Sequence, residues 1–234
     1  MMGEIKSRFL GLEKTRHSLT GFKKLIWDLF SMLGDTFFKS PPPVSPPEIY
    51  HGLKLLNLGA GAVKLEGFVN ADFYRLHKIW SPDRPDWMLD ITKPICCPDN
   101  YWDGVLIEHT NEHILYSQNY DLFSELYRTL KPNSIVRIVV PDLDKYLDWS
   151  DLRKAEPKMN RYASLPEAIS NLAQNHAHVS VWNFQLLKDM LTEIGFIDVR
   201  RMNFLEGNMP ELLKDSPRHV WQSVYLEAKK PPKL

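Results

Sequence analysis

The chain has 234 residues, 44% of them hydrophobic and 25% charged, which suits one globular domain with an appendage. Its formal net charge is zero, so no overall basic field would recruit a nucleic acid, and no nucleic acid partner is expected. No apolar run reaches 18 residues and no signal-peptide core follows the first methionine, so the expected location is cytoplasmic.

Residues 1–48 are predicted to form an appendage to the main domain. Apolar side chains recur at helical spacing from Leu19 to Leu33, which predicts an amphipathic helix within 19–38. Two roles for this helix stay open: it packs on or lids the main domain, or its basic side chains bring it to an anionic membrane surface as a peripheral contact. A proline-rich run that ends at Pro47 is typical of a stiff linker. The domain proper is therefore expected to span 49–234.

The stretch 53–72 carries the first sign of function. Its nearly continuous apolar opening predicts a strand that is buried on both faces of a parallel sheet. The strand breaks into Gly59-Ala60-Gly61, and a second short strand ends in Asp72. A glycine turn after one buried strand and an acid at the tip of the next are typical of doubly wound folds that hold the ribose of an adenosine. A structural turn beside a surface aspartate would have the same pattern.

Strands and helices alternate along the remainder of the chain, which argues for a mainly parallel sheet flanked by helices. Only nine residues, Gly59 to Gly67, separate the first two strands, so the first helix is expected to be a single turn or absent. The predicted strands are 53–58, 68–71, 87–89, 102–107, 135–140, 197–199 and 220–228, and the predicted helices are 119–130, 165–175 and 182–194.

Five short motifs in a fixed order make the region 53–142 resemble class I S-adenosylmethionine-dependent methyltransferases, in particular the small type-11-like proteins. They are Asn57-Leu58-Gly59-Ala60-Gly61, Asp72, Asp90-Ile91, Asp103-Gly104-Val105 and Leu130-Lys131-Pro132. This resemblance implies an α/β, Rossmann-like, doubly wound fold with a mainly parallel seven-stranded sheet and an antiparallel last strand. It also implies S-adenosyl-L-methionine as the cofactor and methyl transfer as the activity.

The same resemblance implies where the cofactor binds. Asp72 is expected to accept hydrogen bonds from the ribose hydroxyls and Asp90 from the adenine amino group, with Ile91 packing on the ring. Asp103, early on its strand, is instead expected to support neighbouring backbone. The full set of expected cofactor-binding residues is Asn57, Gly59, Ala60, Gly61, Asp72, Asp90, Ile91 and Glu108.

Methyl transfer to a hydroxyl also needs a proton acceptor and a pocket for the acceptor molecule. The polar segment 143–180 interrupts the strand–helix alternation at the carboxyl edge of the sheet, where ligands of such folds bind, so it is expected to build that pocket. His178, Trp182 and Tyr162 would suit a sugar, a glycoconjugate precursor or another small molecule. The candidate bases are His109, His113, Asp142, His176 and His178, with His109 and Asp142 ranked first.

Three other functions fit parts of the sequence. The segment 109–113, H-T-N-E-H, matches the inverted zinc-peptidase motif, but no long amphipathic helix follows it, and no metal site is predicted. A nicotinamide dehydrogenase would need the third glycine that Val63 replaces. Asn57, Val63 and Asn133 stand where the methyltransferases usually have an acid or a glycine, which fits a non-catalytic module that binds adenosylmethionine.

Overall fold

A computed structural model describes residues 44–49, 52–73, 84–174 and 178–233. The predicted N-terminal helix, most of the proline-rich run and His176 lie outside the described residues. The described residues from Ser45 onward belong to one compact unit. None of the helices in this described part is both long and apolar enough to cross a membrane.

The sheet has seven strands: β1 (Leu55–Leu58), β2 (Phe68–Asp72), β3 (Trp87–Met88), β4 (Trp102–Glu108), β5 (Leu130–Pro141), β6 (Ile197–Met202) and β7 (Ser223–Lys229). Their spatial order is β3-β2-β1-β4-β5-β7-β6. The first five strands pair in parallel, and β7 runs antiparallel between β5 and β6. The predicted doubly wound sheet with an antiparallel last strand is confirmed.

β1 lies near the middle of the sheet and delivers the chain to its carboxyl edge. All four residues of β1 are buried, because β2 and β4 pair with it in parallel and packed side chains cover both faces. Residues 59–67 then carry turns only, so the first crossover helix is absent, as the short spacing predicted. The N–H groups of Gly59 and Ala60 donate to the Ala71 carbonyl at 2.8 and 3.0 Å, which ties the turn to β2.

Two of the five α-helices in the described part of the chain cover one face of the sheet. The helices are α1 (Tyr116–Thr129), α2 (Leu143–Leu147), α3 (Trp149–Ala155), α4 (Leu165–Gln174) and α5 (Phe184–Ile194). α1 buries the apolar stripe that its spacing predicted, and α5 buries Leu187 and Leu191. α5 begins after Asn183, whose side chain accepts from the Leu186 N–H, and ends at Gly195 with a φ of 116°. α5 therefore ends at Ile194, the predicted boundary.

The segment 143–180 forms a small helical layer of its own. It contains α2, α3, α4 and a 3-10 turn at Pro157–Arg161, and these elements share a cluster of buried side chains that includes Tyr146, Met159 and Tyr162. Because α2 follows β5 directly, this layer lies at the carboxyl edge of the sheet, as the sequence predicted.

The opposite face of the sheet is covered by the connection between β6 and β7. A 3-10 turn at Pro210–Leu212 sets Leu212 against Leu55 and Leu106. This turn approaches β4 so closely that a Cβ on Gly104 would lie 2.8 Å from the sulfur of Met209. The glycine of the Asp-Gly-Val motif therefore lets the Met209 and Leu212 side chains pack closely on the sheet.

Several strand boundaries in the sequence analysis were wrong: β6 ends at Met202 rather than 199, β7 begins at Ser223 rather than 220, and β1 begins at Leu55 rather than 53. The largest difference is in β5, which begins at Leu130, five residues before its β-branched run, because Leu130 pairs with Trp102 before an irregularity in the ladder. Asp103 explains part of this early start, because its carboxylate accepts from the Lys54 N–H at 2.8 Å and from Lys131 Nζ at 2.6 Å. The predicted supporting role of Asp103 is confirmed.

Candidate functional site

The glycine turn after β1 is held by the acid at the end of β2. The Gly61 N–H donates to Asp72 Oδ2 and the Phe73 N–H to Asp72 Oδ1, both at 2.6 Å. Gly61 has a φ of 57°, and among the described residues no atom lies within 4 Å of the position that a Cβ would take. Each carboxylate oxygen of Asp72 keeps a lone pair for a further donor.

Gly59 must be a glycine because the loop after β4 packs directly against it. A Cβ on Gly59 would lie 2.0 Å from Thr110 Oγ1, so the loop that leaves β4 packs directly against the glycine turn. The Thr110 hydroxyl donates to the Glu108 carbonyl at 3.1 Å and approaches the Leu58 carbonyl at 3.4 Å. This junction joins the exits of β1 and β4.

Asp90 and Ile91 follow β3 on the same rim. The Leu89 N–H donates to the Asp72 carbonyl at 3.0 Å, which keeps the two strand exits together. Asp90 Oδ1 accepts from both the N–H and the hydroxyl of Thr92, as in an Asx turn, and Ile91 packs partly on the main core. Asp72 and Asp90 therefore lie on neighbouring strand exits.

Asn57 and Glu108 interact with neighbouring chain segments. The Asn57 amide donates to the Val63 carbonyl at 3.3 Å and to Asn70 Oδ1 at 3.0 Å, so it braces the turn from below. Glu108 Oε1 accepts from the Ser216 N–H at 2.9 Å, and burial raises the pKa of this carboxyl above its ordinary value. Direct contact of either side chain with a cofactor stays a prediction.

The rim fits an adenosyl group in its chemistry. Two carboxylates at neighbouring strand exits retain lone pairs for hydroxyl and amino donors, and the turn beside them exposes backbone at Gly61. Ala60 is nearly buried and adds a small apolar surface to the turn.

Next to this rim lies a cavity of about 500 Å³ whose wall is rich in imidazole groups. Its sides come from the loop after β4, from the layer 143–180 and from the segment before β7. The histidines in its wall are His109, His113, His178 and His219. The other polar and aromatic wall residues are Glu112, Tyr146, Tyr162, Asn171, Arg218, Trp221 and Gln222.

His109 is held from both sides of its ring. Its Nδ1 lies 3.1 Å from Glu112 Oε1, and its Nε2 lies 2.9 Å from Ser223 Oγ. The ring also stacks on His219, with centroids 4.0 Å apart and planes 34° from parallel. His109 has a φ of 49°, an uncommon value for a residue with a side chain, so the backbone is bent at the strand exit.

The side chains of Glu112, His109 and Ser223 are arranged like a hydrolase triad, but they cannot act as one. The Ser223 side chain is completely buried and does not line the cavity, so no substrate carbonyl can reach its hydroxyl. The hydroxyl instead fixes the orientation of the imidazole.

Glu112 is a buried carboxylate with unused oxygen atoms. Only 2% of the residue is exposed, and neither carboxylate oxygen has a hydrogen-bond partner of good geometry. Burial alone would raise the pKa of Glu112, but the contact with His109 and the charge of the nearby His113 hold it below the ordinary value. Glu112 therefore carries a negative charge into the wall of the cavity.

His178 reaches the same place from a distant part of the chain. Its Nδ1 is 2.6 Å from the Leu172 carbonyl oxygen, and its Nε2 is 3.9 Å from Glu112 Oε1. The ring meets His113 edge to face, with centroids 5.0 Å apart. Val179 and Ser180 fix this approach, because their N–H groups donate to the Glu112 carbonyl at 2.8 and 3.2 Å.

Asp142 lies apart from these groups. It is completely buried, it caps α2 by accepting from the Asp144 N–H at 3.2 Å, and its Oδ2 lies 3.3 Å from Arg201 Nη1. It does not line the cavity. The structure thus brings His109, His113 and His178 to one cavity and leaves Asp142 outside it.

Ser223, His219 and Arg218 were missed by the sequence analysis. They precede or begin β7, and their only sequence signal is a cluster of polar residues before a strand. Glu112 and His113 had a signal in the H-T-N-E-H segment. That segment is not the helix that a peptidase motif needs, since Asn111–His113 is a single 3-10 turn and α1 begins only at Tyr116.

Comparisons with known proteins bear on the fold. No family model matches the sequence, and a search of the curated proteins found no match. The chain is similar to a SAM-dependent methyltransferase from Archaeoglobus fulgidus, with a TM-score of 0.51 and 19% identity over 95% of this chain and 99% of that chain. It is also similar to a Thermotoga maritima SAM-dependent methyltransferase described as a possible histamine N-methyltransferase, with a TM-score of 0.47 and 15% identity over 78% and 84% of the two chains.

A third similar structure is Haemonchus contortus phosphoethanolamine N-methyltransferase 2 in complex with S-adenosyl-L-methionine. Its TM-score is 0.47, at 16% identity over 88% of this chain and 53% of that chain. The sheet order and the likeness to the Archaeoglobus protein together establish the fold. It is the fold of a class I S-adenosylmethionine-dependent methyltransferase, as the sequence motifs indicated.

Proposed function

We propose that this chain transfers a methyl group from S-adenosyl-L-methionine to a hydroxyl of a small molecule, a sugar or a glycoconjugate precursor. The observation that supports this most is the junction at Thr110, because it joins the glycine turn to the loop that carries His109 and Glu112. A cofactor rim and an imidazole-lined cavity are therefore neighbours at the carboxyl edge of one sheet.

The residues of the rim would hold the cofactor. Asp72 and Asp90 present carboxylates at neighbouring strand exits, and Gly61 leaves space for the methionine part. When bound, adenosylmethionine supplies an electrophilic methyl group on its sulfonium. The chain must then orient the acceptor, exclude water and take up the proton of the reacting hydroxyl.

His109 is the residue we assign as the proton acceptor. It lines the cavity and directly precedes Thr110, the residue that packs against Gly59 of the glycine turn. Its Nε2 would take the proton once the acceptor hydroxyl replaces the 2.9 Å contact with Ser223, while Nδ1 donates its hydrogen to Glu112. Asp142 is a weaker candidate, since it is buried outside the cavity.

The remaining wall suits a polar acceptor with a ring. Trp221, Tyr146 and Tyr162 offer aromatic surface, and Asn171 and Gln222 offer amide groups. Arg218 adds a cation that would bind the phosphate of an activated sugar.

The test pairs two variants that serve as controls for each other. Binding of S-adenosylhomocysteine is measured by titration calorimetry. Methyl transfer is measured with labelled cofactor and a panel of sugars, sugar phosphates and nucleotide sugars as acceptors. We expect Asp72→Ala to weaken binding by about 10- to 100-fold, because two hydrogen bonds to a charged group are lost. We expect His109→Gln to bind normally but to lower kcat by about 10²- to 10⁴-fold.

The exposed Asp121→Ala on α1 controls for loss of charge, and circular dichroism checks that every variant folds. Equal binding by Asp72→Ala and the unmodified chain would reject the cofactor site. Binding of adenosylhomocysteine without transfer to any member of the panel would contradict the catalytic proposal and favour the non-catalytic module.

A further inference from the structure

Three side chains in the cavity wall are arranged like the ligands of a metal ion. One ligand atom from each of Glu112, His113 and His178 lies within 4.8 Å of the other two. We propose that these three residues bind one divalent cation of the Zn²⁺ type. Two imidazoles and one carboxylate are typical of catalytic zinc and of other borderline divalent ions, whereas Mg²⁺ and Ca²⁺ prefer sites made of oxygen atoms.

The first argument is the electrostatic state of Glu112. Its carboxylate is 2% exposed, and neither oxygen has a well-aligned hydrogen bond. Apart from the 3.1 Å contact with His109 Nδ1, this carboxylate has no close polar contact of good geometry, and native proteins rarely leave a buried carboxylate so poorly bonded unless an ion or a water completes it. A cation bound at its oxygens would complete it.

The second argument is the tautomer of His178. The Leu172 carbonyl can only accept, so Nδ1 of His178 must carry the hydrogen in the 2.6 Å contact between them. In the neutral imidazole the lone pair is then on Nε2, the atom that lies 3.9 Å from Glu112 Oε1. A histidine ligand whose other nitrogen donates to a backbone carbonyl is the usual arrangement around protein-bound metals.

The third argument is the framework that brings the ligands together. Asn111 and Asn119 exchange hydrogen bonds of 2.6 and 2.9 Å, which fix the 3-10 turn that carries Glu112 and His113. The Ser180 hydroxyl donates to the Asn111 carbonyl at 3.1 Å, and the Val179 N–H donates to the Glu112 carbonyl at 2.8 Å. The two segments that carry the ligands are therefore tied together by the backbone, without help from an ion.

The distances require only a small adjustment. Zinc–nitrogen and zinc–oxygen bonds of about 2.1 Å place neighbouring tetrahedral ligands roughly 3.4 Å apart. The 3.9 Å between Glu112 Oε1 and His178 Nε2 is close to this value, and the 4.8 Å limit for the whole set closes with side-chain rotations. Three protein ligands leave at least one coordination position for the contents of the cavity.

This ligand set differs from that of a peptidase motif. It takes His113 and Glu112 from the H-T-N-E-H segment but its second histidine from residue 178, while His109 contacts Ser223 and Glu112. The open coordination position would bind and polarise an oxygen of the acceptor. That consequence rests on the proposed methyl transfer, whereas binding of the cation does not.

The test measures metal binding on the full, untagged chain without cofactor. The protein is freed of metal with a chelator and titrated with Zn²⁺ by calorimetry, and Co²⁺ replaces Zn²⁺ for visible spectroscopy. We expect one ion per chain and the intense absorption of four- or five-coordinate Co²⁺. Glu112→Gln and His178→Gln should each weaken binding by about 100-fold or more. His219→Gln, a change in the same wall outside the ligand set, should leave it unaltered.

Failure of the unmodified chain to bind Zn²⁺ at one ion per chain would overturn the proposal, whether or not the variants fold. Equal loss of binding in His219→Gln, or the weak spectrum of six-coordinate Co²⁺, would overturn it too. A chain that binds Zn²⁺ but not adenosylhomocysteine would refute the proposed function and leave the metal site standing. A chain that binds adenosylhomocysteine but not Zn²⁺ would refute the metal site and leave the proposed function standing.

Discussion

Two residues that belong to the cofactor motif contact other segments of the chain, where the motif predicts contact with a ligand. Gly59 is a glycine because Thr110 occupies the space of its Cβ. Asn57 braces the same turn through Val63 and Asn70. Residue type and spacing correctly placed both residues in the turn that follows β1. Which neighbour each of them meets depends on contacts between strands that are far apart in sequence.

Asp142 allows a prediction about pH at this scale. Burial raises the pKa of its carboxyl above 3.8, the ordinary value for an aspartate, and Arg201 only partly offsets this effect. The folded state therefore holds the proton to a higher pH than the unfolded state does. Its contribution to stability is present below about pH 4 and is lost as the pH rises through the folded pKa.

Asp142→Asn cannot titrate, and asparagine is an equally good N-cap for α2. We expect the variant to gain stability relative to the unmodified chain between about pH 4 and pH 7. The gain is about 1.4 kcal/mol for each unit by which the folded pKa exceeds the unfolded one. Urea unfolding at a series of pH values measures it, and two parallel stability curves would contradict the assignment.

At the scale of elements, the connection between β6 and β7 depends on one buried charge cluster. Arg137, fully buried in β5, donates to both oxygens of Asp215 at 2.7 and 2.5 Å and to Glu227 Oε1 at 3.2 Å. It also donates to the carbonyls of Asn203 and Glu206. These bonds fasten the connection to the sheet face opposite α1 and α5.

We expect Arg137→Met to lower the free energy of unfolding by about 3–5 kcal/mol, because two buried carboxylates lose their cation. Guanidinium unfolding followed by circular dichroism measures the loss. A triple variant that also carries Asp215→Leu and Glu227→Met should recover much of it, since no buried charge is then left unpaired. A loss below about 1 kcal/mol in Arg137→Met would show that the cluster does not hold the connection.

The insertion shows what periodicity can and cannot predict for an element. Its helix from Leu165 was visible in the spacing of apolar residues, and α4 ends within a residue of the predicted boundary. The cluster of Tyr146, Met159 and Tyr162 that unites the segment was not visible. Its members come from α2, α3, α4 and the 3-10 turn with the residue that follows it, so no single local pattern marks them as partners.

At the scale of the whole molecule, the described core belongs to the region after the proline-rich run. The three clusters of buried apolar side chains seen in the described part of the chain all come from residues 55–228. This agrees with a domain that begins near residue 49, which stays a proposal.

Deletion of residues 1–43 should therefore leave a domain that unfolds cooperatively, with a midpoint within about 5 °C of that of the full chain. Differential scanning calorimetry of both proteins measures the change. Loss of the cooperative transition on deletion would show that the N-terminal segment supplies part of the core.

The sequence by itself determined the order of the strands and of α1, α4 and α5, the sheet class and the missing first helix, because these depend on periodicity and on spacing within short segments. It did not predict the short helices α2 and α3. It also marked Asp72, Asp90 and His109 as residues at strand ends. The tertiary structure decided which of the marked residues meet. It joined Glu112 and His113 to His178, which lies 65 residues further on, and it buried Asp142 beside Arg201. Such encounters depend on how the loops at the sheet edge pack, and that packing is a property of the folded chain as a whole.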